Sequence, residues 1–122
     1  MSELRDKVNL ADKFAKITEH WQPRIAAELN GQHVKLVKLL GDFPWHHHET
    51  EDELFFVVSG RLLLRFRDRE ITLEPGELMV VPHGVEHTPF AEEETQILLF
   101  EPVGTLNTGI EENDRTVQPE WV

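Results

Sequence analysis

Between Pro23 and Gly104 the chain is broken by glycine and proline so often that only short extended segments fit between the breaks. Asn30-Gly31, Ser59-Gly60, Pro75-Gly76 and Pro82-His83-Gly84 each supply turn residues. Asn30-Gly31 is the strongest signal, because both residues tolerate positive φ; it joins 24–29 to 33–40 as a hairpin. Residues 54–58 read as a buried strand. Residues 61–67 alternate, with Leu62, Leu64 and Phe66 on one face and Arg61, Leu63, Arg65 and Arg67 on the other. Asp68-Arg69 turns the chain into 70–73, and 77–81 forms a strand that stops at Pro82. Strands over 87–90 and 95–101 complete the set, with Glu92-Glu93-Glu94 read as an exposed turn between them. Strands this short, spaced by roughly eight to twelve residues, imply an all-β sandwich or barrel.

Flanking segments are different. Asn9 can cap a helix over 10–18, with Asp12 at its third position and an apolar stripe of Leu10, Phe14 and Ile17; residues 14–17 would also suit an edge strand. From Gly104 onward the sequence is polar, with Leu106, Ile110, Val117 and Trp121 as scattered anchors of a tail expected to lie along the surface. The expected division is an N-terminal arm (1–24), a barrel (25–103) and a C-terminal tail (104–122), since 122 residues suffice for one core and not for two.

Charge and composition exclude several functions. A formal net charge of −11 opposes binding to nucleic-acid phosphates or to anionic membrane surfaces. The absence of cysteine removes disulfides, thiolate ligands and thiol nucleophiles, so any metal must be held by nitrogen and oxygen. No apolar run approaches the length of a membrane span and no signal sequence is evident, so a cytoplasmic location is expected.

The chemistry concentrates in 41–53, where His46 to Glu53 places three histidines and four acids in eight positions. On an extended chain His46 and His48 share a face and His47 takes the other. Glu53 can return to the same point if the polar 49–52 segment bends, and His87 can add a further nitrogen. These residues form a candidate metal site. Glu53 has a second reading, as a general base acting on bound water. His47 and His83 are expected at the surface, and Trp45 is expected to pack beneath the ligands or floor a pocket.

The pattern resembles the two motifs of the cupin superfamily, over about residues 41–91. His46-x-His48, Glu53 and Gly60 are similar to the first motif; Gly76, Pro82, Gly84 and His87 are similar to the second. Fifteen residues separate Gly60 from Gly76, as in small single-domain bacterial cupins. The resemblance implies a double-stranded β-helix (jelly-roll) barrel with a short N-terminal helix or arm. It also implies one divalent transition-metal ion per chain (Mn, Fe, Ni, Co or Zn) on His46, His48, Glu53 and His87. Two departures stand out. Ala91 occupies a position where many members carry asparagine, and the count from Gly41 falls on His47; retaining His46 keeps Glu53 in place.

Three imidazoles and one carboxylate suit those ions and leave coordination positions for a substrate. The expected function is a metal-dependent enzyme acting on a small oxygen-rich metabolite, isomerase-like or dioxygenase-like; small cupins of this kind resemble phosphomannose isomerases. A non-catalytic module for a sugar-like small molecule is the competing reading. Arg61, Arg65 or Arg67 would anchor an anionic substrate if they faced the barrel mouth, and would be inert if they lay on an exposed sheet edge. A homodimer is expected, with the N-terminal arm covering sheet edges.

Overall fold

The computed structural model describes residues 4–122. Among them are one helix, α1 (Leu10–Ala15), and eight strands: β1 (Arg24–Leu29), β2 (Gln32–Asp42), β3 (Glu53–Ser59), β4 (Leu62–Phe66), β5 (Glu70–Leu73), β6 (Leu78–Val81), β7 (His87–Pro102) and β8 (Glu120–Trp121). The order along the main sheet is β5-β4-β7-β2-β1-β8, with β3 inserted beside β7 and carrying β6. The fold is the jelly-roll barrel.

Strand β7 belongs to both halves of this barrel. Its first residues pair with β4, from Phe66↔His87 to Leu63↔Phe90. Its later residues pair with β2 on one side and β3 on the other. The change of direction occurs where Leu39 faces Thr95 but Gly41 faces Ala91, so a two-residue step on β2 spans four on β7. Glu92-Glu93-Glu94 fills this bulge with its side chains exposed. The two strands expected from sequence are therefore one strand of 16 residues, and the acids form a bulge, not a turn. Thr95 fastens the bend: its Oγ1 accepts the Arg61 N–H at 3.1 Å, and Gly60 packs against its backbone.

Alternation builds two apolar layers. Inward-facing Val37 and Leu39 of β2, Phe55 and Val57 of β3, Leu62 and Leu64 of β4, and Ile97 and Leu99 of β7 form the barrel core. On the outer face Leu36 and Ala26 receive Phe14 and Ile17 from the N-terminal segment. Asn9 caps α1 as expected, accepting the Asp12 N–H at 3.0 Å. The helix ends earlier than expected, because Lys16 and Ile17 bond to Lys13 and Phe14 in a tighter i→i+3 pattern. That turn points Ile17 into the same cluster as Phe14. Both are buried, and each buried side chain of this size contributes about 1.5–3 kcal/mol.

The segment after Gly104 is not simply laid on the surface. Thr105 and Thr108 are buried, and β8 pairs in parallel with β1. No helix among the described residues is long and apolar enough to cross a membrane.

Gly60 has φ +91, and a Cβ there would lie 2.8 Å from Thr95 Cα. Gly60→Ala should therefore cost about 3 kcal/mol or more, combining a left-handed backbone with a clash. Gly31→Ala, at φ +73 in open space, should cost only about 1–2 kcal/mol. Chemical denaturation of the two variants measures the difference.

Candidate metal centre

Residues 43–52 form no regular strand, yet they are held rigidly. His46 and His87 form an isolated antiparallel bridge, with His46 N–H bonded to His87 O at 3.0 Å and His87 N–H to His46 O at 2.9 Å. Two residues on, Gly84 N–H donates to His48 O at 2.7 Å. From the opposite side Ile110 N–H donates to His47 O at 3.2 Å. Gly109 sits so close to that carbonyl that a Cβ would collide with it. The histidine segment is thus clamped between the loop before β7 and the segment after it.

This clamp turns His46 and His48 to the same side and His47 away, with the His47 ring beside Glu49. One ligand-type atom from each of His46, His48, Glu53 and His87 lies within 4.8 Å of the others. His48 Nε2 is 3.4 Å and His87 Nε2 3.5 Å from Glu53 Oε1. His46 Nδ1 donates to Pro44 O at 2.9 Å, and His87 Nδ1 donates to Val85 O at 2.9 Å. Each bond places the proton on Nδ1 and leaves the Nε2 lone pair free for an electrophile. His87, His48 and Glu53 are almost fully buried. His48 Nε2, His87 Nε2 and Glu53 Oε1 have no hydrogen-bond partner among the described residues. Buried polar atoms are otherwise nearly always paired, and a cation at their centre would satisfy all three together.

Electrostatics agree with that fit. Burial, followed by the neighbouring His87, pushes the His46 imidazole down to about 4, so it is neutral at physiological pH. Burial by itself would raise the Glu53 carboxyl, but His48 and His87 outweigh it and hold the group well below the usual carboxylate range. Behind Glu53 lies a second acid that the sequence reading missed. Glu101, buried on β7, is pushed up by burial and by the Glu53 charge, against the pull of Lys35. Lys35 Nζ stands 3.7 Å from Glu101 and donates to Thr105 O at 3.2 Å. The signal was present in strand parity, since Lys35 shares a face with Val37 and Leu39, and Glu101 with Ile97 and Leu99.

Other expected residues lie elsewhere. His83 is exposed and bonded to Asp52. Trp45 neither floors the site nor packs under it; it is half-exposed beneath the Arg67 guanidinium. Phe43 takes the inner place, with its ring edge-on to His46 and stacked on Trp21. The three arginines lie outside the barrel, Arg61 against Glu74, Arg65 between Asp42 and Glu70, and Arg67 against Glu86. They are not available to anchor a substrate at the candidate centre. A cavity of about 40 Å³ adjoins His46 and Glu53, walled mainly by apolar side chains and touched by Asn107 from the C-terminal segment.

A sequence pattern described as Cupin domain matches residues 34–101. Among solved structures, a cupin-2 domain containing protein from Shewanella frigidimarina NCIMB 400 superposes with a TM-score of 0.77 at 49% identity, covering 78% of this chain and 93% of that one. The uncharacterised protein YdbB of Bacillus subtilis strain 168 is 39% identical over 62 residues, which is 50% of this chain and 55% of that protein. The acireductone dioxygenase of Exiguobacterium sibiricum is 31% identical over 104 residues, 76% of this chain and 58% of that protein. The chain spans about half the length of the curated relatives it matches, from 40% to 58%.

The buried, neutral His46 sets a pH dependence for the metal-free protein. In the unfolded chain its imidazole takes up a proton near 6.5, in the folded chain only near 4. Its contribution is therefore complete above about pH 6.5 and is lost as pH falls towards 4, by up to about 3 kcal/mol. Denaturation in EDTA at several pH values should show this loss, and His46→Gln should flatten it relative to wild type.

Proposed function

This chain belongs to the cupin family, and from that premise we propose that it is a metal-dependent enzyme acting on a small molecule, dioxygenase-like in preference to isomerase-like. The observation that carries the reading is the set of three buried, unpartnered atoms, His48 Nε2, His87 Nε2 and Glu53 Oε1, converging with His46 on one point. His46, His48 and His87 would hold one divalent ion through neutral nitrogens. Glu53 would supply the charge that offsets it, because an uncompensated ion in a barrel interior is costly. When bound, such an ion supplies Lewis acidity and, if it is iron, dioxygen chemistry.

The chain's own contribution is orientation and an apolar surround. Carbonyls of Pro44 and Val85 fix two imidazole planes, and the neighbouring space is walled mainly by apolar side chains. An isomerase that moves a proton between carbons needs an acid–base pair around its substrate. Among the described residues beside the cavity only Glu53 and His46 offer titratable groups, and both belong to the proposed ligand set. The relative from Exiguobacterium named as a dioxygenase supports the same preference and makes acireductone the first substrate to try.

A homodimer is proposed as well, on a surface other than the one expected. The N-terminal segment folds onto its own barrel and covers Leu98, whereas β6, β3 and β7 present further apolar side chains outward: Leu78 and Phe56, then Val80, Leu54 and Phe100. A second copy would cover this face. Light scattering should give twice the chain mass, and Val80→Glu should return it to the mass of one chain.

Metal analysis should find about one transition-metal ion per chain. His48→Ala should weaken metal binding by on the order of 100-fold or more, while His47→Ala leaves it unchanged. Glu53→Gln separates the two roles of the carboxylate: a ligand loses metal affinity, whereas a general base keeps the metal and loses only turnover. Oxygen uptake by the iron-loaded protein with acireductone tests the reaction. Full metal occupancy with ligand binding but no turnover would favour the non-catalytic module.

A further inference from the structure

The cavity that adjoins His46 and Glu53 bears on what kind of molecule can sit beside the donors. Its volume of about 40 Å³ accommodates roughly three waters, at about 10–15 Å³ each. Three waters occupy roughly 90 Å³ of liquid, the space of about half a dozen non-hydrogen atoms. Leu39, Phe43, Phe55, Ile97 and Leu99 supply most of the wall.

Apart from the donors His46 and Glu53, the polar groups at its margin are engaged, Trp21 fully and Asn107 in part. Trp21 Nε1–H donates to Leu40 O at 2.8 Å. Asn107 donates through its amide to Arg115 O at 2.8 Å, and its oxygen accepts the Val117 N–H at 3.0 Å. No lysine or arginine lines the cavity. The buried Lys35 is directed at Glu101 and Thr105. Arg115 lies against Trp21 and Phe43 without lining the space.

We propose that the site takes a compact molecule with an oxygen-donor end for the metal and, beyond that end, a short uncharged apolar body against Phe43, Phe55 and Leu99. This rests on the metal-centre reading above and narrows the oxygen-rich metabolite expected from sequence. A phosphate at the end away from the metal would meet no lysine or arginine, and a hydroxyl there would exchange water for a wall whose only spare donor is the second Asn107 amide N–H. Hexose phosphates match this wall poorly, because their charge and hydroxyls would face apolar side chains.

A set of small chelators tests this on the zinc-loaded protein, where no oxidation complicates the reading. Acetohydroxamate, propionohydroxamate and glycolohydroxamate share one metal-binding end; the last two differ by a methyl against a hydroxyl. Calorimetric titration should show propionohydroxamate binding about fourfold tighter than acetohydroxamate, the factor expected for one buried methylene. Glycolohydroxamate should bind more weakly than propionohydroxamate, and mannose 6-phosphate should give no heat of binding at matched concentration. Val37→Ile, which adds one methylene to the wall, should erase the propionohydroxamate advantage while leaving zinc content unchanged.

Zinc content, measured first, separates the two readings. A chain that takes up no zinc overturns the metal centre and this proposal with it. A zinc-loaded chain that ignores all three hydroxamates, prefers the hydroxyl-bearing one, or binds mannose 6-phosphate as well as propionohydroxamate overturns this proposal alone.

Discussion

Two backbone hydrogen bonds, exchanged between His46 and His87, tie together parts of the chain that are far apart in sequence. Each contributes only about 1 kcal/mol net. Their importance is geometric, because His87 opens β7, the strand shared by both halves of the barrel, and His46 follows the end of β2. The bridge carries the precision of the ladder into a segment that has no ladder of its own. The neighbouring bond from Gly84 to His48 O extends the same registration by two residues. Side chains on an irregular loop thereby gain the positional definition of side chains on a strand, as a multidentate site requires.

The barrel interior combines that polar cluster with an aliphatic core. Glu53 faces the histidines on one side and Glu101 on the other, and Lys35 closes the line. Three ionisable groups in succession are tolerable in such a place only if charge is balanced along the row. Glu53 is held ionised by the imidazoles, while Glu101 is shifted towards its neutral form by burial and by Glu53 itself. The same inward parity that supplies Phe55 and Leu99 to the core supplies Glu53 and Glu101. The site grows out of the core packing instead of being attached to a loop outside it.

The barrel was legible in the spacing of glycine and proline, and the donor set in the histidine pattern, because both are local signals with strong geometric consequences. Where the sequence reading went wrong, the deciding interactions were distant. Glu92 to Glu94 has the composition of a turn, but Thr95 and Gly60 hold it as a bulge within one continuous strand. Parity set the arginines of 61–67 opposite Leu62 and Leu64, yet parity alone does not say which face looks inward; the burial of those leucines does. Trp45 and Phe43 lie two residues apart with similar chemistry, and only the close stacking of Phe43 on Trp21 decides which one turns in. The C-terminal segment gave no periodic signal at all, since its order comes from Asn107 and Thr108 bonding back to Arg115 and Thr116 within the segment and from Gly109 packing against His47.

Asn107 of that segment touches the cavity although it lies on none of the barrel strands. Substitutions at Asn107 can therefore reshape the space beside the donors while every strand pairing stays as it is, so long as Gly109 and Ile110 keep their hold on His47. Evolution gains a separable variable: the reacting centre can be conserved while the acceptable ligand drifts. Two chains with the same four donors and the same barrel need not share a ligand if they differ after the last long strand. Grafting this short stretch between relatives would be an economical way to exchange their preferences.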